Sequence, residues 1–215
     1  MKRLLPWAGG AVAVIAAWVL WSEPLQFALG GALINAGYRM QDSLARYDFQ
    51  HEHANPEEVW EQFLGQNRLS SSIRWLFPRT SRHPVVAIVA CMDGRLDTNE
   101  IAGDTRRYYY VLRLAGSVLS LKEEEMLELA VENGVEVVVF TTHTDCAAEK
   151  VSADPAARKR YPHLSQAVDE REMRFQEFLE RPLIANRLTE GQLLVKWMDI
   201  DTKDERLVPH ARSAR

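Results

Sequence analysis

Two cysteines, one histidine and an aspartate–arginine pair are the residues of this chain whose types and spacing could support chemistry. Cys91, Asp93 and Arg95 form a C-x-D-x-R pattern, and further along the chain His143 and Cys146 form an H-x-x-C pattern. Two thiolates and an imidazole are typical zinc ligands. Three protein ligands leave a fourth coordination position free for chemistry. The two patterns together therefore predict a zinc site of the catalytic type.

The cysteines also allow other interpretations. Two cysteines in 215 residues are too few for a disulfide scaffold. They leave open a single disulfide, a pair of inert buried thiols, or a pair of metal ligands. The first two interpretations give no role to Asp93, Arg95 and His143, so we favour metal ligands.

Short apolar runs predict the strands that must position these residues. The runs are Val85–Ala90, Tyr108–Leu112, Val135–Thr141 and Leu193–Met198. Helical patterns lie between them: a capping box at Ser120 begins a helix that Asn133-Gly134 closes, and a second helix runs from about Ser165 to Glu180. This alternation predicts an α/β fold with a mostly parallel four-stranded sheet flanked by helices.

The predicted sheet also explains how the candidate ligands meet. Cys91 directly follows the first strand, and His143 and Cys146 follow the third. Ligands of parallel sheets gather at the carboxyl ends of the strands. If the first and third strands are neighbours, the three side chains converge on one point.

These motifs resemble those of the β-class carbonic anhydrases, over a region from about Pro56 onward. That family is marked by C-x-D-x-R and H-x-x-C, and Arg113-Leu114-Ala115-Gly116 is similar to its R-N-A-G segment. The resemblance implies a zinc hydro-lyase that interconverts carbon dioxide and bicarbonate. It also implies a homodimer or a higher homo-oligomer. Two positions depart from the family pattern, which usually has glycine where this chain has Ala147 and asparagine where it has Leu114.

The Asp93–Arg95 pair has a role that follows from the charge of the site. Two thiolates and a neutral imidazole bring a zinc site close to zero formal charge, so it acidifies a bound water less than a three-histidine site does. Asp93 and Arg95 can form a charge-assisted pair across one turn. Asp93 would then orient a zinc-bound hydroxide toward carbon dioxide, and Arg95 would keep the carboxylate off the metal. The alternative for Arg95 is a structural salt bridge.

Weaker candidates lie around these motifs. Asp145 is expected either to orient the loop between two ligands or to be an exposed turn residue. Arg113 is expected to form a core salt bridge. His51, His53, His163 and His210 lie in polar surroundings and are expected at the surface, where one of them could transfer protons.

The N-terminal region predicts attachment to a membrane. The stretch Leu4–Trp21 has no charged residue and follows Lys2 and Arg3. At about 1.5 Å per residue it would reach roughly 27 Å, close to the thickness of a bilayer core. We expect residues 1–40 to be a membrane anchor or uncleaved signal segment, with membrane contact through residues 4–38. A cleaved signal peptide and a helix that packs on a partner subunit are the alternatives.

The rest of the chain divides at two further boundaries. Residues 41–55 are polar and predict a linker, and residues 56–215 are expected to form the zinc domain, because Pro56 fits the first position of a helix. Two basic residues before the apolar stretch favour a cytoplasmic N-terminus. The domain is then expected on the periplasmic side of a bacterial inner membrane, or on the cytoplasmic side if the segment after Pro24 is re-entrant.

Composition limits the function classes. The net charge is −4, so the chain lacks the excess of basic residues typical of nucleic-acid binders. Two functions fit the sequence. The first is a membrane-tethered zinc enzyme for carbon dioxide and bicarbonate. The alternative is a catalytically weak, anhydrase-like zinc subunit with a structural or regulatory role in a membrane complex.

Overall fold

The computed structural model describes Trp18 and residues 22–42, 56–76, 83–103 and 108–210. The chain divides into two compact units, Met1–Arg79 and Thr80–Arg215. The candidate site residues all belong to the second unit. The helix that begins at Pro56 belongs to the first unit, so a domain boundary at residue 56 stays a prediction.

The first unit contains two described helices, α1 (Glu23–Asp42) and α2 (Pro56–Leu76). The start of α2 confirms the helix predicted at Pro56. Helix α1 extends to the start of the predicted linker and exposes the apolar side chains Phe27, Leu29, Leu33, Ile34, Tyr38 and Met40. Among the described residues, no helix has the length and apolar character needed to cross a membrane. Apart from Trp18, the predicted span Leu4–Trp21 lies outside the described residues, as do residues 43–55 of the linker.

The second unit is an α/β fold. Its strands are β1 (Val86–Cys91), β2 (Tyr109–Leu114), β3 (Val137–His143), β4 (Leu194–Ile200) and β5 (Leu207–Pro209). Its described helices are α3 (Thr98–Ala102), α4 (Leu121–Glu132), α5 (Ala147–Ala153), α6 (Pro155–Arg160), α7 (Pro162–Glu180) and α8 (Pro182–Thr189). A short 3-10 turn, Ala115–Ser117, follows β2.

The strands form one sheet in the order β2-β1-β3-β4-β5. The first four strands pair in parallel, and β5 pairs antiparallel with β4. The four predicted strands are therefore confirmed, with ends shifted by one or two residues. The prediction of a four-stranded sheet is wrong, because a fifth strand is present. Its three residues are too few to show a strand period, and they include Pro209, which cannot donate to a ladder.

Burial on both faces of the sheet explains the apolar runs. Residues 87–91 of β1 are at most 4% exposed, so successive side chains of this strand are buried on both faces of the sheet. Phe140 of β3 packs against Phe175 and Phe178 of α7, with ring centroids 4.9 and 5.5 Å apart. On α4, the Glu123 carboxylate accepts from the Ser120 backbone N–H at 2.9 Å, which confirms the capping box. These contacts fix the strands whose carboxyl ends carry the candidate ligands.

Candidate metal centre

The topology brings the three candidate ligands together. Strands β1 and β3 are parallel neighbours, Cys91 ends β1, and His143 ends β3. Cys146 lies directly before α5. The ligand atoms of the three side chains lie within 4.8 Å of one another. The two sulfur atoms are 4.0 Å apart, and both cysteines are free. The predicted convergence is confirmed.

His143 presents a lone pair to this cluster. Its Nδ1 lies 3.0 Å from the Thr144 carbonyl oxygen, to which the protonated nitrogen can donate. Its Nε2 is buried and has no hydrogen-bond partner among the described residues. A buried imidazole nitrogen without a partner, beside two thiols, is a donor set that suits zinc. The site is thus able to bind a metal ion.

The two thiols influence each other's protonation. The pKa of Cys91 is lowered, chiefly by the hydrogen bond with Cys146 and further by His143 and by the backbone N–H groups of Asp93 and Gly116. The same pairing, together with burial, raises the pKa of Cys146. Because both thiols are buried at one point, they share one proton more readily than they hold two negative charges. A divalent cation in contact with both sulfurs would offset that charge.

Gly116 supports the site from the turn after β2. Its φ is +63°, a conformation that favours glycine. A Cβ atom at this position would meet Ala148, Val168 and Arg171 at 3.3 Å each. The Gly116 N–H is also one of the groups that lower the pKa of Cys91. The structure therefore gives this glycine of the Arg113–Gly116 segment a physical function.

Asp93 and Arg95 form the expected pair. Arg95 donates from Nε to Asp93 Oδ1 at 3.0 Å and from Nη2 to Asp93 Oδ2 at 2.8 Å. Its backbone N–H adds a third bond to Oδ1 at 3.0 Å. These bonds hold the pKa of Asp93 well below its usual range. Asp93 is therefore an anion that accepts hydrogen bonds, and its orientation is set by Arg95.

Arg95 also reaches the other ligand loop. It donates from Nη1 to Asp145 Oδ2 at 3.0 Å and from Nη2 to the Asp145 carbonyl at 2.9 Å. Asp145 has a positive φ of +63°, and Lys150 pairs with its carboxylate. Lys150 and then Arg95 lower the pKa of Asp145. Asp145 is thus an exposed turn residue, as one of its two expected roles has it, and its carboxylate binds the side chains of Arg95 and Lys150.

Arg113 differs from its sequence-based interpretation. Its Nε donates to the Cys91 carbonyl and its Nη2 to the Asp93 carbonyl, each at 2.7 Å. Among the described residues Arg113 forms no core salt bridge, and its exposed side chain makes these two contacts to the backbone of the C-x-D-x-R loop. The sequence placed Arg113 at a strand end, but only the pairing of β2 with β1 brings it beside Cys91.

The two departures from the family pattern cause no visible strain. Ala147 is the first residue of α5, it is exposed, and it has no positive φ. Leu114 ends β2 and packs against the apolar core. The backbone at Ala147 is therefore compatible with alanine and gives no reason for Cys146 to be displaced.

Comparison with known proteins agrees with this geometry. A protein-family model described as carbonic anhydrase matches residues 86–190, which contain all five residues of the two motifs. The matched region, 105 of the 215 residues, supports a carbonic anhydrase. No curated protein matches the chain significantly.

Solved structures of carbonic anhydrases share this fold. A carbonic anhydrase from Streptococcus mutans is 20% identical, with a TM-score of 0.53, over 70% of this chain and 96% of its own. The β-carbonic anhydrase CcaA is 16% identical, with a TM-score of 0.58, over 72% of this chain and 92% of its own. A chain from the tetrameric β-carbonic anhydrases of Sordaria macrospora is 17% identical, with a TM-score of 0.53, over 72% of this chain and 98% of its own.

Proposed function

We propose that this protein is a zinc-dependent carbonic anhydrase that catalyses the reversible hydration of carbon dioxide to bicarbonate. The observation that carries the proposal is the cluster of Cys91, His143 and Cys146 beside the Asp93–Arg95 pair. The carbonic anhydrase family match over the same residues supports it.

Each residue of the site has a separate task in this reaction. Cys91, His143 and Cys146 would hold the zinc ion. When bound, zinc supplies a Lewis acid that lowers the pKa of a water molecule and neutralises thiolate charge. Asp93 is anionic, so it accepts a hydrogen bond from the attacking water and directs a lone pair of that water toward carbon dioxide. Arg95 occupies both Asp93 oxygens and keeps the carboxylate in one orientation.

Metal analysis and a stopped-flow assay of carbon dioxide hydration test this proposal. We expect about one zinc per chain in the wild type, and Cys146→Ser should lose most of the metal and the activity. Met92→Leu is a matched control, because Met92 is 64% exposed beside Cys91 in the sequence. Full zinc retention by Cys146→Ser would contradict the ligand assignment. A zinc-loaded wild type without activity would instead support the structural or regulatory subunit.

We further propose that residues 1–40 tether the domain to a membrane. The uncharged stretch Leu4–Trp21 supports the tether, as do the exposed apolar side chains of α1. Lys2 and Arg3 favour the periplasmic side of a bacterial inner membrane for the domain. Fractionation should recover the full-length chain with membranes, and deletion of residues 1–40 should release it. Protease added to spheroplasts should digest the domain, whereas protection would place it in the cytoplasm.

A homo-oligomer is the third part of the proposal. Strand β2 is an edge of the sheet, and an apolar groove of about 280 Å³ lies between it and α4, lined in part by Tyr110, Met126 and Leu129. An unpaired strand edge beside exposed apolar side chains is typical of a surface that pairs with a second copy. The tetrameric state named for the Sordaria macrospora enzymes is compatible with this assignment.

A further inference from the structure

We propose that the β4–β5 hairpin (residues 194–209) orients the His143 ring for metal binding, with Thr144 and Thr202 as positioning residues. The inference rests on the zinc site proposed above. It adds a part of the chain that lies beyond the region matched by the family model, which ends at residue 190.

The orientation of the ring depends on the Thr144 carbonyl. His143 Nδ1 lies 3.0 Å from that oxygen, and the ring is 5% exposed. With the proton on Nδ1, the lone pair is on Nε2, the nitrogen without a hydrogen-bond partner among the described residues. Metal-binding histidines usually donate their other ring N–H in this way, which fixes both the tautomer and the direction of the ring. A shift of the Thr144 carbonyl would remove this restraint.

The hairpin holds Thr144 by its other polar groups. The Thr144 N–H donates to the Ile200 carbonyl at 3.0 Å. The Thr144 hydroxyl oxygen accepts from the Thr202 N–H at 3.1 Å and lies 2.9 Å from the Thr202 hydroxyl oxygen. On the following residue, Arg95 binds the Asp145 carbonyl at 2.9 Å. The backbone on both sides of the Thr144 carbonyl is thus held in place. The hairpin binds the Thr144 N–H before it, and Arg95 binds the Asp145 carbonyl after it.

The hairpin also holds the residue before His143. The Asp199 carboxylate accepts a hydrogen bond from Thr142, and His210 Nδ1 lies 2.8 Å from the same carboxylate oxygen. The His210 ring stacks on Trp197, with ring centroids 5.0 Å apart. His143 therefore lies between two residues, Thr142 and Thr144, that are both bound to the same hairpin.

The loop of the hairpin is ordered by its own hydrogen bonds. The Glu205 N–H donates to the Asp201 carbonyl at 2.7 Å, and the Lys203 N–H donates to the Asp201 carboxylate at 3.0 Å. The Glu205 carboxylate also accepts from the Asp97 N–H at 2.8 Å, in the segment that follows Arg95. Thr202 is therefore presented by a loop that has hydrogen bonds of its own besides those to Thr144.

Substitution of the two threonines in the full-length protein tests the inference. Thr144→Val removes both hydroxyl contacts to the hairpin but keeps the carbonyl that binds His143, so zinc affinity should fall about 10–100-fold. Thr202→Val removes one contact and should have a smaller effect. Thr144→Ser keeps the hydroxyl and should restore affinity to near the wild-type value. Competition with a chelator of known zinc affinity measures all three.

Thr189→Val is the matched control. Its hydroxyl donates to the Ala185 carbonyl at 2.8 Å, at the end of α8 that leads toward the start of β4, away from the carboxyl edge of the sheet. Zinc affinity should be unchanged in this variant. An equal loss of affinity in Thr144→Val and Thr189→Val would overturn the inference, as would a Thr144→Ser variant as weak as Thr144→Val.

Nitrogen-15 NMR of the imidazole measures the exchange of the His143 Nδ1 proton. A purely structural role of Thr144 would leave this exchange rate unchanged. In the zinc-loaded wild type, His143 should carry a slowly exchanging proton on Nδ1. In Thr144→Val, that proton should exchange faster while the backbone spectrum stays folded. An unchanged proton signal would refute the positioning role. If the wild type bound no zinc, the proposed function would fail, and the same signal in the metal-free protein would still decide whether the hairpin orients the ring.

Discussion

Replacement of Gly116 by alanine should weaken both the fold and the metal site. The added Cβ would lie 3.3 Å from Ala148, Val168 and Arg171, and φ at this position is +63°. Ala148 lies on α5, which begins directly after Cys146, a proposed metal ligand. Displacement of Ala148 would therefore be transmitted to a metal ligand.

Gly191→Ala provides the matched control for the magnitude. Gly191 has nearly the same conformation, with φ of +68°, but a Cβ there would have no atom within 4 Å. The left-handed conformation costs an alanine about 1–2 kcal/mol at either position. Crowding at Gly116 adds about 1–3 kcal/mol. The Arg171 Nη2 atom that the added Cβ would meet belongs to a guanidinium whose Nη1 forms a 2.6 Å ion pair with Glu149 on α5, so movement of Arg171 would disturb that pair.

Thermal unfolding and zinc competition together measure the effect. The melting temperature of Gly116→Ala should lie on the order of 5–10 °C below that of Gly191→Ala. Its zinc affinity should fall about 10-fold or more, because crowding at position 116 would move its N–H away from Cys91 and would displace Ala148 next to Cys146. Equal melting temperatures of the two variants would refute the argument from crowding. Unchanged zinc affinity in Gly116→Ala would refute the displacement of the metal site by this crowding.

Other predictions follow from the dyad, from a buried carboxylate and from the sheet edge. Arg95→Ala should lower the hydration rate of the zinc-loaded protein about 10²–10³-fold, because Asp93 loses its side-chain donors. A stopped-flow assay combined with metal analysis measures this effect, and loss of zinc in the variant would show that Arg95 has a structural role instead. Burial raises the pKa of Glu124, so this carboxyl group keeps its proton to a higher pH in the folded state than in the unfolded state. The protein should therefore lose stability as the pH rises through the pKa that Glu124 has in the folded state. Glu124→Gln should flatten that dependence in urea unfolding between about pH 4 and pH 8, and parallel curves would contradict it. Leu129→Lys should shift the protein to a smaller species in light scattering, and an unchanged mass would exclude this face as the contact.

Much of the fold follows from local sequence patterns. The continuous apolar run before Cys91 predicts a strand buried on both faces, and the capping box at Ser120 predicts the start of α4, because each pattern reflects interactions between residues close in the chain. Strand β5 could not be predicted in this way. Its three residues are a strand only because β4 pairs with them, and that pairing is decided by the tertiary structure.

The same division applies to the site. The sequence determined the ligand types and the Asp93–Arg95 pair, because residue identity sets their chemistry and a separation of two residues keeps the pair together. Only the tertiary structure placed β1 beside β3 and so brought Cys91 to His143. It also decided the contacts of Arg113 with the ligand loop and of Thr202 with Thr144. These contacts join residues far apart in the chain. Only the folded arrangement of the strands brings such residues within hydrogen-bond distance.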